Sequence, residues 1–205
     1  MPLLLLVRHG ENDYVKKNIL AGRLPEVHLN EKGRSQANAV AEKLKSLPIK
    51  AVYSSPLERA METAEPLAKA LGLEIIQRPG LIELNIGEWQ GQTLKSLQKL
   101  KVWRKVQGNP SRFRFPGGEA FLDTQQRICT ELEALADLHQ PKEMLLCVSH
   151  ADPIKLAVAY YLGMPLDHFQ RLSVSPGSIT AIYLGEMGAQ LVTLNYDLSL
   201  SLPGA

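Results

Sequence analysis

The sequence predicts an α/β fold: a three-layer α/β/α sandwich around a mostly parallel sheet, with a small lid inserted at about 80–117 of a single domain spanning 1–205. Three observations carry this. Residues 3–7 are five consecutive apolar residues, the length and character of a strand buried on both faces. Strand-like and helix-like stretches then alternate as βαβαβ within about eighty residues, the pattern of a parallel sheet with right-handed crossovers. Between 80 and 117 the alternation breaks into a stretch punctuated by Gly87, Gly91, Gly108, Pro110, Pro116 and Gly117–Gly118.

In chain order, the first strand stops at Arg8-His9-Gly10-Glu11, a cation, an imidazole and a glycine that lets the backbone turn. Residues 11–32 read as a polar loop. Ala37, Val40, Ala41, Leu44 and Leu47 make one apolar stripe of a helix over 33–47, ended by Pro48. A second strand, 51–54, leads into Ser55-Pro56-Leu57-Glu58, a capping-box pattern with proline at the first helical position. That helix runs to about Leu71 and stops at Gly72; a third strand follows at 73–76. In the lid, a helix is expected from Leu94 to about Val106. A further helix over 119–138 turns Phe121, Ile128, Leu132 and Leu135 inward. The fourth buried strand, 143–148, ends in Ser149-His150. Asp152-Pro153 then caps and opens a helix to about Leu162, and 178–184 and 189–194 form a closing hairpin, with a frayed tail from Leu198.

Apolar content of 45% and charged content of 21% are ordinary for a soluble globular protein, and a net charge of +2 is too small to imply nucleic acid. Cys129 and Cys147 form no CxxC pair, which points to a reduced, cytoplasmic protein with Cys147 in the core and Cys129 inert on a helix. The first apolar run is too short for a signal peptide or a membrane span. His9, His28, His139, His150 and His168 show no metal-ligand spacing. His28, His139 and His168 read as surface residues, and Trp89 and Trp103 as packing residues of the lid.

In an open α/β sheet, ligands bind outside the carboxyl ends of the strands. There the chain gathers Arg8-His9, Arg59 at a helix N-terminus, and His150: two cations and two imidazoles beside free N–H groups, a site for phosphate or another tetrahedral oxyanion. A neutral imidazole can attack phosphorus, a protonated one can stabilise the equatorial oxygens, and the leaving oxygen needs a proton donor. Glu83, flanked by Ile82 and Leu84, is the favoured donor and Glu88 its competitor. From Gln90 to Pro116 there are seven basic residues (Lys95, Lys99, Lys101, Arg104, Lys105, Arg112, Arg114) and no acid. They are either a mobile lid that draws in anions or a solvated face. Arg23, after Gly22, is either a substrate ligand or solvated.

Taken together, the motifs resemble the histidine phosphatase superfamily, the phosphoglycerate mutase-like family with an Arg-His-Gly signature. They run in order through Leu6-Val7-Arg8-His9-Gly10-Glu11, Leu29-Asn30-Glu31-Lys32-Gly33 and Tyr53-Ser54-Ser55-Pro56-Leu57-Glu58-Arg59-Ala60. Glu83-Leu84-Asn85-Ile86-Gly87-Glu88-Trp89-Gln90-Gly91, Pro116-Gly117-Gly118-Glu119 and Val148-Ser149-His150 complete them. The resemblance implies that His9 is the nucleophile that becomes phosphohistidine, that Arg8, Arg59 and His150 form the phosphate pocket, and that Glu83 is the proton donor. Asn12, Gly22, Arg23 and Ala151 are the remaining expected substrate contacts. It also implies no metal. The chain departs from the family at Asn12, where Ser or Thr is common, at Val15, where Asn is, and at Ala151, where Gly is usual; Asn18 is a possible substitute for the asparagine.

The expected function is therefore metal-independent hydrolysis of a small anionic phosphorylated metabolite through phosphohistidine. One alternative is a phosphoglycerate mutase-type enzyme, which alone would call for 2,3-bisphosphoglycerate; the other is a non-catalytic phospho-ligand binder. A short lid favours hydrolysis over the mutase. No nucleic-acid or membrane partner is expected, and the antiparallel end of the sheet offers an edge for a homodimer.

Overall fold

The computed structural model describes residues 1–186 and 188–198; the tail expected to fray lies mostly outside them. In chain order the elements are β1 (Leu3–Arg8), α1 (Asp13–Lys16), α2 (Glu31–Leu44), β2 (Ile49–Ser54), α3 (Glu58–Leu71) and β3 (Ile75–Gln77). There follow α4 (Leu94–Leu97), α5 (Trp103–Gly108), α6 (Phe121–Asp137), β4 (Met144–Ser149), α7 (Ala151–Tyr161), β5 (Ile179–Gly185) and β6 (Gly188–Tyr196). The strands form one sheet in the order β3-β2-β4-β1-β5-β6. The first four run parallel; β5 and β6 are antiparallel, the closing hairpin expected from the sequence.

The unbroken apolar run of β1 is explained by what lies on each side. Leu4 and Leu6 pack with Ile128, Leu132 and Leu135 of α6 and Ile154 and Ala157 of α7. Leu3, Leu5 and Val7 pack with Val40, Ala41 and Leu44 of α2 and Ala60, Ala64 and Leu67 of α3. Alternate side chains of a strand point to opposite faces, so a strand covered on both needs apolar residues throughout. The result is the three-layer sandwich. A third apolar cluster, including Trp89, Leu97, Val106, Phe113, Phe115 and Phe121, fastens the 79–120 segment to α6, α7 and the turn Leu166–Arg171.

Several boundaries differ from the sequence reading, each for a physical reason. The first long helix begins at Glu31 because Asn30 Oδ1 accepts the Gly33 N–H at 2.9 Å. The helix expected over 94–106 is two short helices. Leu97 and Val106 are both buried, and at about 100° per residue a single helix would set them on opposite faces. The capping box at Ser55 does not form. The cap residue of α3 is Leu57, without a side-chain cap, and Ser55 Oγ is engaged by His150. Asp152 lies inside the first turn of α7 and pairs with Lys155, while His150 takes the cap position. The third strand starts at Ile75, because Leu73 N–H closes the end of α3 on the Ala68 carbonyl after Gly72 turns left-handed.

Candidate active site

At the carboxyl ends of β1, β2 and β4 lies a cavity of about 350 Å³. Its lining includes Arg8, His9, Asn12, Gly22, Arg59 and Glu83. The chain reaches this geometry through one close backbone crossing: Gly10 sits against Gly33, and a Cβ on Gly10 would stand 2.5 Å from the Gly33 carbonyl oxygen. The Gly10 N–H donates to Thr63 Oγ1, whose hydroxyl donates to the Arg59 carbonyl, tying the end of β1 to the first turns of α3.

His9 is buried, and its Nδ1 lies 2.7 Å from the Gly10 carbonyl. A carbonyl only accepts, so Nδ1 carries the proton and Nε2 holds a free lone pair. Burial pushes the pKa of His9 well below 6.5; Arg59 and Arg8 push it further, and the Gly10 hydrogen bond opposes them. The ring is therefore neutral and available as a nucleophile across the physiological range.

Arg59 is 1% exposed, not the helix-surface charge its position alone would suggest. Its Nη2 donates to the Gly22 carbonyl at 2.7 Å, which leaves Nε and Nη1 buried without a partner. Arg8 is similar: Nη1 donates to the Val174 carbonyl at 2.7 Å and Nε is free. Asn12 spends its Oδ1 on the Val15 N–H at the start of α1, and its buried Nδ2 is free. Buried donors are nearly always satisfied. These orphans, on three cavity-lining residues from two stretches of chain, define a place for a multiply accepting anion. Gly22 contributes through its carbonyl and a positive φ of 54°; a side chain there would meet Gln90 and Ile86 at under 3 Å.

His150 stands 5.2 Å from His9, ring to ring. Its Nε2 contacts Ser55 Oγ at 2.8 Å, and its Nδ1 is unpartnered, 3.9 Å from Glu83 Oε2. Burial, then Arg59, His9 and Arg8, push its pKa well below 6.5. The second imidazole is thus neutral, against the expectation of a protonated one, first because it is buried and then because Arg59 and Arg8 stand beside it. Ala151 and Asp152 line the cavity beside it.

Glu83 is raised to about 7: burial dominates, Asp152 adds to it, and Arg59, the Leu84 N–H and Arg8 pull the other way. Glu88 is exposed and lies outside the cavity lining, which separates the two candidate acids. The Glu83 backbone is tied down from several sides. Arg23 Nε and Arg127 Nη2 both donate to its carbonyl, Arg127 Nη1 holds the Gly80 and Ile82 carbonyls, and Ser149 Oγ donates to that of Leu81. Both guanidiniums also pair with Glu119, which accepts from Asn85 N and Thr124 Oγ1 as well. Burial raises the Glu119 pKa, but these donors and the two arginines hold it below the usual value.

Arg23 is thus turned onto Glu119 and the Glu83 carbonyl and does not line the cavity, against its expected place among the substrate contacts. Asn18, the proposed substitute at the Val15 departure, is exposed and outside the lining, while Val15 itself lines it. The seven basic residues of the 90–116 stretch are all exposed and none lines the cavity, so they have no direct place in the site. Trp89 and Trp103 stack at 6.1 Å as packing residues and also wall the cavity. His139 is not a surface residue: it is held between Tyr53 and Glu143. The sequence reading missed Ser55, assigned to a cap, and the Glu119 clamp, although Glu119 closes a quoted motif; Arg127 carried no local signal at all. Among the described residues no cluster of three or more His, Cys, Asp or Glu is placed to hold a metal, and no helix is long and apolar enough to cross a membrane.

Comparison with known proteins agrees with this geometry. The family model for the histidine phosphatase superfamily (branch 1) matches residues 4–197. Phosphoserine phosphatase 1 of Hydrogenobacter thermophilus is 29% identical, over 98% of this chain and 95% of its own. The 2,3-bisphosphoglycerate-dependent phosphoglycerate mutase of Thermoplasma acidophilum is 31% identical, over 89% of this chain and 87% of its own. The solved structure of Bacillus stearothermophilus YhfR superposes with a TM-score of 0.89 at 28% identity, covering 97% of this chain and 98% of that one. With its Arg-His-Gly strand end, its second strand-end histidine and a match running nearly end to end, this chain belongs to the histidine phosphatase superfamily.

Proposed function

We propose that the protein is a phosphomonoesterase that works through a phosphohistidine on His9, with the 79–120 segment as the lid of its site. The observation that carries this reading is the pairing of an unprotonated His9 Nε2, fixed by the Gly10 carbonyl, with a cluster of unpartnered arginine and asparagine donors and a carboxylic acid titrating at about 7. The free donors of Arg8, Arg59 and Asn12 bind the phosphoryl oxygens and orient phosphorus toward Nε2. Nε2 attacks, the P–O bond to the leaving group breaks, and protonated Glu83 gives its proton to the departing oxygen. Glu83, now a carboxylate, takes a proton from a water that attacks the phosphohistidine; phosphate leaves and His9 is restored. The chemistry calls on no metal. The two cysteines, both free and buried, suit a reducing, cytoplasmic setting.

The mutase-named relative keeps a second reading open, in which the phosphoenzyme passes its phosphoryl group to a second oxygen and 2,3-bisphosphoglycerate primes the cycle. One experiment addresses both. The protein is incubated with p-nitrophenyl phosphate, and separately with 3-phosphoglycerate plus 2,3-bisphosphoglycerate, alongside His9→Ala. Phosphate release that disappears in the variant supports the phosphatase, and isomerisation supports the mutase. Neither reaction across a panel of phosphomonoesters overturns the enzymatic reading.

A further inference from the structure

Besides the phosphate-binding donors, much of the cavity lining is apolar. Ile19, Leu20, Trp89, Leu94, Trp103 and Phe115 contribute to it, from the loop after α1 and from the 79–120 segment. Trp89 is buried behind Trp103, with Phe115 against its edge at 5.2 Å, so the aromatic wall is braced from behind. Ile19, Leu20, Leu94 and Trp103 are only partly buried, which leaves their apolar surface open to whatever enters.

The charges in the same cavity have other work. Among the described residues its lining cations are Arg8, Arg59 and Lys155. The free nitrogens of the two arginines belong to the phosphate cluster. Lys155 Nζ sits 3.0 Å from Asp152 Oδ1 and 5.0 Å from the centre of the Phe169 ring. The other nearby guanidiniums, Arg23 and Arg127, are paired with Glu119 outside the lining. A carboxylate or ammonium on the leaving group would therefore enter a largely apolar chamber in which Asp152 and Lys155 are already paired with each other and the other polar side chains are the amides of Gln107 and Gln170. A ring-sized hydrocarbon group would cover apolar surface that is otherwise wet.

We infer that, within the phosphatase reading, the preferred substrates are phosphomonoesters of apolar, ring-bearing alcohols, in preference to charged metabolites such as phosphoserine or phosphoglycerate. Val15 fits the same picture, since it places a further hydrocarbon in the lining. The cavity, at about 350 Å³, has room for one ring and a short linker beside the phosphate.

The test compares kcat/KM among esters whose leaving groups are all alkyl alcohols, so that chemical reactivity does not confound recognition: 2-phenylethyl phosphate, glycerol 3-phosphate, O-phosphoserine and 3-phosphoglycerate. The phenylethyl ester should exceed phosphoserine by at least about tenfold. Trp103→Ala should collapse that ratio toward one, and Trp103→Phe should keep most of it. Phosphoserine or phosphoglycerate matching or beating the phenylethyl ester in the wild-type enzyme overturns the inference while leaving the phosphatase reading intact. An unchanged ratio in folded Trp103→Ala, checked by circular dichroism, also overturns it. Failure to hydrolyse any ester, p-nitrophenyl phosphate included, overturns the phosphatase reading itself.

Discussion

Glu83→Gln separates the acid's role from every other contribution of the site. Glu83 titrates at about 7 where an ordinary glutamate titrates near 4.5, chiefly because it is buried and faces Asp152. At pH 6 a group with that pKa is about 90% protonated, against about 3% for the unperturbed acid. Glutamine is nearly isosteric, and its carbonyl oxygen can still accept the Leu84 N–H that Glu83 Oε1 accepts at 2.9 Å, but it has no acidic proton. An alkoxide is a poor leaving group unless it is protonated, whereas p-nitrophenolate is a stable anion. The variant should therefore lose about 10²–10⁴ in kcat/KM for an alkyl phosphate. Phosphorylation of His9 by p-nitrophenyl phosphate should fall by less than about tenfold. The pH dependence gives an independent sign. In the proposed mechanism protonated Glu83 is the active form, so wild-type kcat/KM should decline as pH rises through about 7, and this limb should be absent from the variant. The acidic limb belongs to His9 and falls well below pH 6.5, because the neutral ring is the active form and its pKa is depressed. The assay is phosphate release from 2-phenylethyl phosphate and the p-nitrophenolate burst, both measured from pH 5 to 9. Equal losses on the two substrates, or a basic limb that survives in the variant, would refute the assignment and transfer the acid role to Asp152, the other carboxylate lining the cavity.

Two further outcomes follow from the same contacts. Glu119→Ala removes the carboxylate that Arg23 and Arg127 share and loosens both guanidiniums that hold the Glu83 carbonyl. Unfolding free energy should fall by about 2 kcal/mol, and turnover of alkyl phosphates should fall more than that of p-nitrophenyl phosphate; equal effects on the two substrates would reduce Glu119 to a purely structural residue. Stability should also depend on pH with a definite sign. His9 and His150 are held neutral when folded but protonate around 6.5 when unfolded, so from pH 6.5 to 5 their proton excess in the unfolded state grows from about one to about two. Glu83 acts oppositely there, since it is protonated when folded and ionised above about 4.5 when unfolded. The net grows from near zero at pH 6.5 to about one proton near pH 5, where about 1.4 kcal/mol of stability is lost per unit of acidification. Urea midpoints that stay flat or rise from pH 6.5 to 5 would contradict the buried neutral imidazoles.

How much of this was legible in the sequence depends on whether a residue's role is local. The two-sided burial of β1 shows in residues 3–7, because a strand covered on both faces needs apolar side chains at every position. Arg8, His9 and His150 were legible for a related reason: each stands at or just beyond a strand end, and parallel topology delivers those ends to one edge, where Arg59 in the first turn of α3 and Glu83 in the segment after β3 join them. What stayed hidden depends on distant partners. Ser55 reads as a helix cap until His150, ninety-five positions away, takes its hydroxyl. Arg127 reads as one polar position on α6, yet it holds three backbone carbonyls leading to the proposed acid. Arg23 follows the cavity-lining Gly22 and still faces away, because Glu119 offers it an ion pair at 2.6 Å. The split between α4 and α5 was hidden too, since it follows from two residues needing burial on opposite faces and not from any helix breaker.

The electrostatics of the site turn on a mismatch that only a ligand resolves. Arg59, 1% exposed, and the half-buried Arg8 stand beside two histidines kept neutral by burial and by these cations, with Glu83 half-protonated near pH 7 and Asp152 already bound to Lys155. Such an arrangement is poor for stability: unpaired buried charge is costly, and several good donors go unused. It is well suited to a phosphate dianion, which supplies both the missing negative charge and the missing acceptors at once. A dianion there would also offset part of the repulsion that Arg59 and Arg8 exert on His150, a ring held neutral first by its burial. His9 differs because its Nδ1 proton is already committed to the Gly10 carbonyl, so its free nitrogen points toward bond formation instead of charge stabilisation. Two chemically identical rings 5.2 Å apart are in this way assigned different work by one backbone carbonyl and one serine hydroxyl.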